Sequence, residues 1–321
     1  GMAFQVSPGV QVREKDMTNV IPAVATSIAG IVMAAERGPV DEITAIASEE
    51  ELVSIFGKPK TTGSQFEDWM AAASFLGYGN ALRVVRPSTA TLKNATAGNA
   101  GLLIKNTTHY KDGDGSTGPY IGADANATTV GRWVARTAGA WGNSLKVAVC
   151  PSAEAWEKSW TSGKGTVGSN ASAGALTVAI NNGGTAGDGG SLFTVGDIVY
   201  FSESNGQEYK VVSKSADNIT IERFGVTNTG GGLTNALTAG ANVRRRWEHY
   251  DKFDGAPGTS QWVSDRGGSN DEMHVIIIDE DGVISGVVGE VLETWQGISK
   301  ANDALAEDGS DNCYVNVFYT G

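Results

Sequence analysis

Residues whose types could carry out chemistry are few in this sequence, and they do not combine into a recognisable site. The three histidines, His109, His249 and His274, share no spacing that suits a metal ion, and the apolar run around His274 favours a structural role for it. Cys150 and Cys313 lie far apart and form neither a metal motif nor a disulfide framework. We therefore predict no metal site and no cofactor, and the low cysteine content fits a reducing compartment.

Three short motifs resemble known ligand-binding motifs only in part. In "TSGKGTVGS" a glycine follows Lys164, where a phosphate-binding loop needs serine or threonine. "KDGDGSTG" offers Asp112 and Asp114 but no later glutamate to complete a calcium loop. The run Arg244–Arg246 beside Trp247 is more typical of a salt-bridged seam than of a nucleic-acid contact. Because no carboxylate pair stands beside a nucleophile or histidine, we predict no catalytic residue and no enzymatic activity.

Charge and hydropathy exclude two further classes of protein. The net charge of the 321 residues is −12, and the last 74 residues hold all of it, with 15 acidic and 3 basic residues in 248–321. An acidic chain is a poor ligand for a phosphate backbone, and no apolar run approaches the roughly 18 residues of a membrane span. We expect no direct nucleic-acid partner and no membrane insertion. The acidic end is either a solvated face or a face for a basic partner.

The elements that organise the chain begin with an arm over residues 1–22. Its apolar residues Val6, Val10 and Val12 alternate around Pro8-Gly9, which predicts an extended strand with no hairpin partner nearby. An unpaired terminal strand frays or adds to another sheet. These three valines are our candidates for an inter-subunit arm.

Residues 26–86 read as a β-α-α-β unit. An apolar strand at 26–35 is followed by a short helix with a capping box made of Ser48 and Glu51. A second helix has apolar residues at helical spacing, and "ALRVVR" then forms a strand that we expect to pair in parallel with 26–35. The apolar positions of the second helix are Phe66, Trp69, Met70, Ala73 and Leu76.

The pattern of residues 88–321 predicts a β-rich insert followed by further strands of the core domain. Residues 88–164 form a first insert that ends in a strand, and 165–247 form a small separate β unit with four short strands. "MHVIIIDEDGVISGVVGEVLETW" reads as two strands joined at an Asp281-Gly282 turn, and "DNCYVNVFYTG" as a last strand.

The predicted fold class is an α/β (α+β) multidomain protein. A mixed-sheet α/β core domain comprises residues 23–87 and 248–321, and a small β-barrel or β-sandwich domain, residues 165–247, is inserted into it. We expect the strands of 26–86 and 271–320 to pair, since both groups carry long apolar strands.

Several segments in order resemble the tail sheath proteins of contractile-tailed bacteriophages. No single segment is specific for this family, but the order in which the segments occur along most of the chain is specific for it. The segments are "SPGVQVRE" (7–14), "TSIAGIV" (26–32), "RGP" (37–39), "FGKP" (56–59), "AAASFLGYGNALRVVR" (71–86), "AGAWGNSLKV" (138–147), "NDEMHVIIIDEDGVISG" (270–286) and "VLETW" (291–295).

The resemblance implies a structural subunit that stacks as rings, hexameric in the family, around a tail tube and contracts to deliver DNA. Its partners would be other sheath subunits, the tail tube protein, and the baseplate and tail terminator proteins. It would be found in the virion tail, and in the host cytoplasm during assembly. Family members continue beyond the point that matches Gly321, so we expect a sheath protein that lacks its C-terminal region.

Two alternatives stay open at this point. The first is the sheath of a phage-like contractile injection system, either a tailocin or a type VI secretion relative. The second is a glycan-binding, adhesin-like module formed by the inserted β unit.

Overall fold

The structure, a computed structural model, describes residues 27–61, 63–120, 127–225 and 231–320. The chain divides into two compact units, residues 1–142 and 143–321. The elements of the first unit are β1 (Ala29–Val32), β2 (Ile43–Ile46), α1 (Glu49–Phe56), α2 (Ser64–Leu76), β3 (Leu82–Val85), α3 (Thr107–Asp112) and α4 (Ala127–Val130).

A three-stranded mixed sheet with the order β1-β3-β2 forms the centre of the first unit. β1 and β3 are parallel, as the two intervening helices predict, and β2 pairs antiparallel with β3. The apolar faces of α1 and α2 cover one face of this sheet. The buried core consists of Met33, Ile46, Leu52, Phe56, Trp69, Ala72, Leu82 and Val84.

The predicted capping box begins α1. The N-cap Ser48 accepts a hydrogen bond from the Glu51 backbone N–H (3.2 Å), and the Glu51 carboxylate accepts one from the Ala47 N–H (2.7 Å). The first bond satisfies a backbone donor that the helix leaves unpaired, and the second fixes Ala47, the residue before the N-cap.

The second unit contains two sheets and several short helices. Its elements are β4 (Leu145–Cys150), α5 (Ala153–Trp156), β5 (Glu157–Trp160), β6 (Thr177–Ala179), α6 (Asp188–Ser191), β7 (Ile198–Tyr200), β8 (Glu208–Ser215), β9 (Asn218–Arg223), β10 (Val243–Arg246), α7 (Gln261–Ser264), β11 (Glu272–Asp279), β12 (Glu290–Ser299) and α8 (Tyr314–Thr320).

The insert forms a six-stranded antiparallel sheet with the order β5-β10-β7-β8-β9-β6. As expected, it shares no strand with the sheet around β1 among the described residues. It recruits β5 from outside the predicted range 165–247. The mixed helices and sheets confirm the predicted α/β multidomain class. Of the two forms expected for the insert, a barrel or a sandwich, the barrel is not formed: β5 and β6 lie at opposite edges of the sheet instead of pairing with each other.

The third sheet has the order β12-β11-β4, and it corrects two further expectations. The apolar strand β11 pairs with β4 and β12, both antiparallel, and not with the strands of 26–86. β12 begins at Glu290, well after the Asp281-Gly282 turn, so a ten-residue loop separates the two strands. The boundaries of the discontinuous core domain remain a prediction.

The last element is a helix, where the alternation in "DNCYVNVFYTG" predicted a strand. A single bridge joins Cys313 to Ser299, and the chain then turns into α8. The helical turn carries Phe318 to Trp295 of β12, with ring centroids 4.7 Å apart. A helix satisfies its own backbone here, and the apolar contact with β12 favours it.

The capping box gives a direct test of the local structure of α1. Ser48→Ala removes the acceptor for the Glu51 N–H, and we expect it to lower the free energy of unfolding by about 1 kcal/mol. The matched control is Ser54→Ala, an exposed serine inside the same helix, which should change it by less than about 0.5 kcal/mol. Urea titration measures both, and equal effects would contradict the capping role.

Candidate assembly site

Arg86, directly after β3, holds three separate segments of the first unit together. Its side chain is 3% exposed. Nη1 donates to the carbonyl oxygens of Gly38 (3.0 Å) and Ala138 (2.7 Å), and Nη2 donates to that of Glu36 (3.4 Å). We call this group the arginine clamp. It joins the end of the central strand to the chain after β1 and to the chain before β4.

Carbonyl dipoles compensate the charge of the clamp. Within the described ranges no carboxylate forms an ion pair with Arg86. Burial lowers the pKa of Arg86 from its ordinary value, although an arginine remains protonated in a protein. The rigid, forked guanidinium can bond several carbonyls at once, which the single ammonium of lysine cannot do equally well.

Two glycines allow the backbone to approach the clamp. Gly139 has a φ of +141°, and a Cβ there would lie 2.2 Å from the Glu36 carbonyl oxygen. Gly38 has a φ of +98°, and a Cβ there would lie 2.7 Å from the Phe56 ring. Both glycines are required by close contact as well as by conformation.

A second arginine joins the same segments. Arg37 donates to the Val53 carbonyl at 3.2 Å, and its guanidinium lies 5.6 Å from the ring centroid of Trp141. The Trp141 indole in turn donates to the Thr137 hydroxyl at 3.0 Å. The motifs "RGP", "ALRVVR" and "AGAWGN", read separately in the sequence, therefore converge in three dimensions.

The face of the first sheet opposite α1 and α2 is exposed. Val32, Val85 and Ile43 are neighbours across the three strands, and Val32 is 64% and Ile43 70% exposed. Arg83 lies one row along β3 on the same face, and no acidic partner for it exists in the part of the chain that the structure describes. We call Val32, Ile43, Arg83 and Val85 the open sheet face.

A second exposed apolar surface lies between β11 and β12. Residues 280–289, the valine loop, present Val283, Val287 and Val288, which are 70%, 56% and 73% exposed. Sequence reasoning missed this surface because it assigned these residues to a strand. Glycines at 282, 286 and 289, all with positive φ in the structure, were the signal for a loop.

The Asp279 carboxylate organises the valine loop. It is fully buried and accepts hydrogen bonds from the backbone N–H groups of Gly282, Ile284 and Ser285 and from the Ser285 hydroxyl. Burial alone would raise the pKa of Asp279, but these hydrogen bonds outweigh it and hold the pKa below its ordinary value. The ionised Asp279 carboxylate thus holds the backbone of the valine loop in one conformation.

The run Arg244–Arg246 forms the predicted salt-bridged seam. Arg244 and Arg246 both bond the Glu208 carboxylate, and Arg245 Nε lies 3.8 Å from an Asp197 oxygen. Burial raises the pKa of Asp197 to about 6 in spite of the Thr194 N–H bond and of Arg245. These arginines serve the packing of the six-stranded sheet.

The candidate arm residues Val6, Val10 and Val12 lie outside the described residues. His274 is buried in β11, where Nδ1 accepts from the Gly297 N–H and Nε2 bonds the Gly255 carbonyl, as expected for a structural histidine. Across the described ranges, no group of three or more His, Cys, Asp or Glu residues could hold a metal ion. No helix in those ranges is long and apolar enough to cross a bilayer.

Comparison with known proteins shows that the chain is similar to tail sheath proteins of bacteriophages. It is 40% identical over 127 residues to the tail sheath protein of Vibrio phage KVP40 and 32% identical over 123 residues to that of Enterobacteria phage T4. The matches cover 39% and 37% of this chain but 18% of each relative. No protein-family model matches the chain. The resemblance inferred from the motifs is confirmed, and it supports a structural role in a phage tail sheath.

The arginine clamp predicts a large difference between two arginines three residues apart. Arg86→Ala leaves buried carbonyls without a donor, and we expect the free energy of unfolding to fall by about 3 kcal/mol. Arg86→Lys should recover only part of this loss. The exposed Arg83→Ala is the control and should cost less than about 0.5 kcal/mol. Urea unfolding measures all three, and similar losses for Arg86→Ala and Arg83→Ala would exclude the clamp.

Asp197 predicts a dependence of stability on pH. Because its folded pKa of about 6 exceeds the unfolded value near 3.9, its contribution to stability is fully present below pH ~4 and is lost as pH rises through ~6. Asp197→Asn retains an acceptor for Thr194 but cannot ionise. The free energy of unfolding of this variant minus that of the wild type should therefore be roughly 2–3 kcal/mol larger at pH 7 than at pH 4. Paired urea titrations at the two values measure the gain, and a constant difference would be the contrary result.

Proposed function

We propose that this protein is a structural subunit of a contractile phage tail sheath. Copies stack as rings around the tail tube, and contraction of the lattice drives DNA delivery into the host. The observation that carries the proposal is the 40% identity over 127 residues to a protein named as a tail sheath protein. The described geometry suits a scaffold, because buried polar side chains such as Arg86 and Asp279 form hydrogen bonds to the backbone and hold chain segments in place. We propose no enzymatic activity.

Strand exchange between copies would connect the subunits. Among the residues that the structure describes, β1 is an edge strand of its sheet, and an edge strand offers backbone groups to an added strand. We infer that the alternating residues Val6, Val10 and Val12 form such a strand on a neighbouring subunit. Contraction would then move packed units as rigid bodies joined by these arms.

The wider setting follows from the same proposal. The partners are other sheath subunits in hexameric rings, the tail tube protein, and the baseplate and tail terminator proteins. The six-stranded sheet of the insert faces outward. Assembly takes place in the host cytoplasm, and the product is part of the virion tail.

Immunogold electron microscopy tests the proposal. Antibodies raised against the purified chain should label the tails of particles from the encoding phage along the whole sheath, and the same serum absorbed with the chain should not. Labelled contractile tubes without capsids would instead identify an injection system. Label confined to fibres, capsids or the baseplate would contradict a sheath subunit.

A further inference from the structure

The valine loop has a rigid conformation that exposes apolar side chains. Besides the Asp279 bonds, the Gly289 N–H donates to the Asp279 carbonyl and the Glu280 N–H to the Ser144 carbonyl, each at 2.8 Å. The Ser144 hydroxyl also donates to the Asp281 carboxylate at 3.1 Å. Both ends and the middle of the loop are therefore fixed, and its valines cannot turn inward without breaking these bonds.

The exposure of these valines is exceptional within their unit. Among the described residues of 143–321, the three most exposed large apolar side chains are Val283, Val287 and Val288. The next is Val195, at 53%. A preorganised apolar surface lowers the entropic cost of binding, because no loop has to be ordered on contact. Such a surface marks an interaction site.

The charge around the loop defines the chemistry of its partner. Glu280 and Glu290 flank the valines with exposed side chains, and no lysine or arginine occurs between Arg266 and Lys300. The complementary surface is apolar and carries a cation. The open sheet face has this composition, since Val32, Val85 and Ile43 form an apolar row beside Arg83, which has no acidic partner among the described residues.

The open sheet face also needs cover. β1 and β3 form a parallel pair within this mixed sheet, and sheets of parallel strands are usually covered on both faces. α1 and α2 cover only one face in the described part of the first unit. Two unexplained apolar surfaces thus match each other in hydropathy and have opposite charge.

We propose that the valine loop of one copy docks on the open sheet face of a second copy, with Glu280 and Glu290 around Arg83. The contact is head-to-tail, so it leaves one surface of each kind free on every pair. Such contacts propagate into closed rings or helical assemblies. The proposal rests on the proposed sheath function and names one contact within it.

Sedimentation equilibrium of the purified chain near 0.15 M salt tests the apolar part of the contact. The probe is the chain itself, and we expect weak, concentration-dependent association. The double variant Val283→Thr with Val288→Thr keeps the side-chain shape. It should weaken association, raising the dissociation constant by about tenfold or more. Val195→Thr, a valine of similar exposure on the insert, is the control and should change it by less than about twofold.

Charge reversal tests the pairing of the two surfaces. Glu280→Lys with Glu290→Lys changes the net charge from −12 to −8, two acids becoming two bases, and by lowering the overall repulsion this change alone would favour association. We expect weaker association instead, because the lysines meet Arg83. Arg83→Glu alone should also weaken association, and the combined variant should recover it. Circular dichroism melts confirm that every variant is folded.

Three results would overturn the contact. One is a wild-type chain that stays monomeric up to about 1 mM. Another is valine variants that associate like the control, and a third is charge reversals that do not compensate. If Arg83→Glu changes only monomer stability, another part of the same chain covers the face. None of these results alters the immunogold outcome, so the contact can fail while the sheath function stands.

Discussion

Burial of one guanidinium among backbone carbonyls is the constraint on which the first unit depends. Arg86 lies at the end of the central strand, and its bonds reach the segments on both sides. Burying a charge without a partner is unfavourable, so this arrangement persists only if all the carbonyls stay in place. The requirement fixes the chain at Gly38 and Gly139, where no larger residue fits. Distant segments are thereby held in one conformation.

Buried carboxylates in the second unit act in the same way on loops. Asp279 accepts hydrogen bonds from backbone N–H groups of the valine loop. Glu203 accepts hydrogen bonds from the Tyr209 and Thr234 hydroxyls and from the Asn235 N–H. Satisfied polar networks of this kind specify one conformation. The consequence is a protein whose surface loops are shaped by internal hydrogen bonds.

Local features of this fold could be predicted from the sequence, and long-range ones could not. The capping box at Ser48, the arginine seam and the structural His274 each follow from neighbouring residue types. The parallel pairing of β1 and β3 is the exception, and it follows from the two helices that lie between these strands in the sequence. The arginine clamp depends on carbonyls far from Arg86 in sequence, and a carbonyl has no residue type that could reveal it. The pairing of β11 with β4 was missed for a related reason, since apolar strands do not specify their partners. α8 was missed because a contact with Trp295 overrides a short alternating pattern.

The central claim is that Arg86 makes the convergent segments one cooperative unit, and native-state hydrogen exchange tests it most directly. The amides of Arg37, Asp41 and Gly139 donate to the carbonyls of Phe56, Arg86 and Lys93. We expect them to exchange with one common opening free energy in the wild type. In Arg86→Ala all three should lose protection together, while the amides of β11 keep theirs. Unequal protection in the wild type, or loss at Asp41 alone in the variant, would contradict the account.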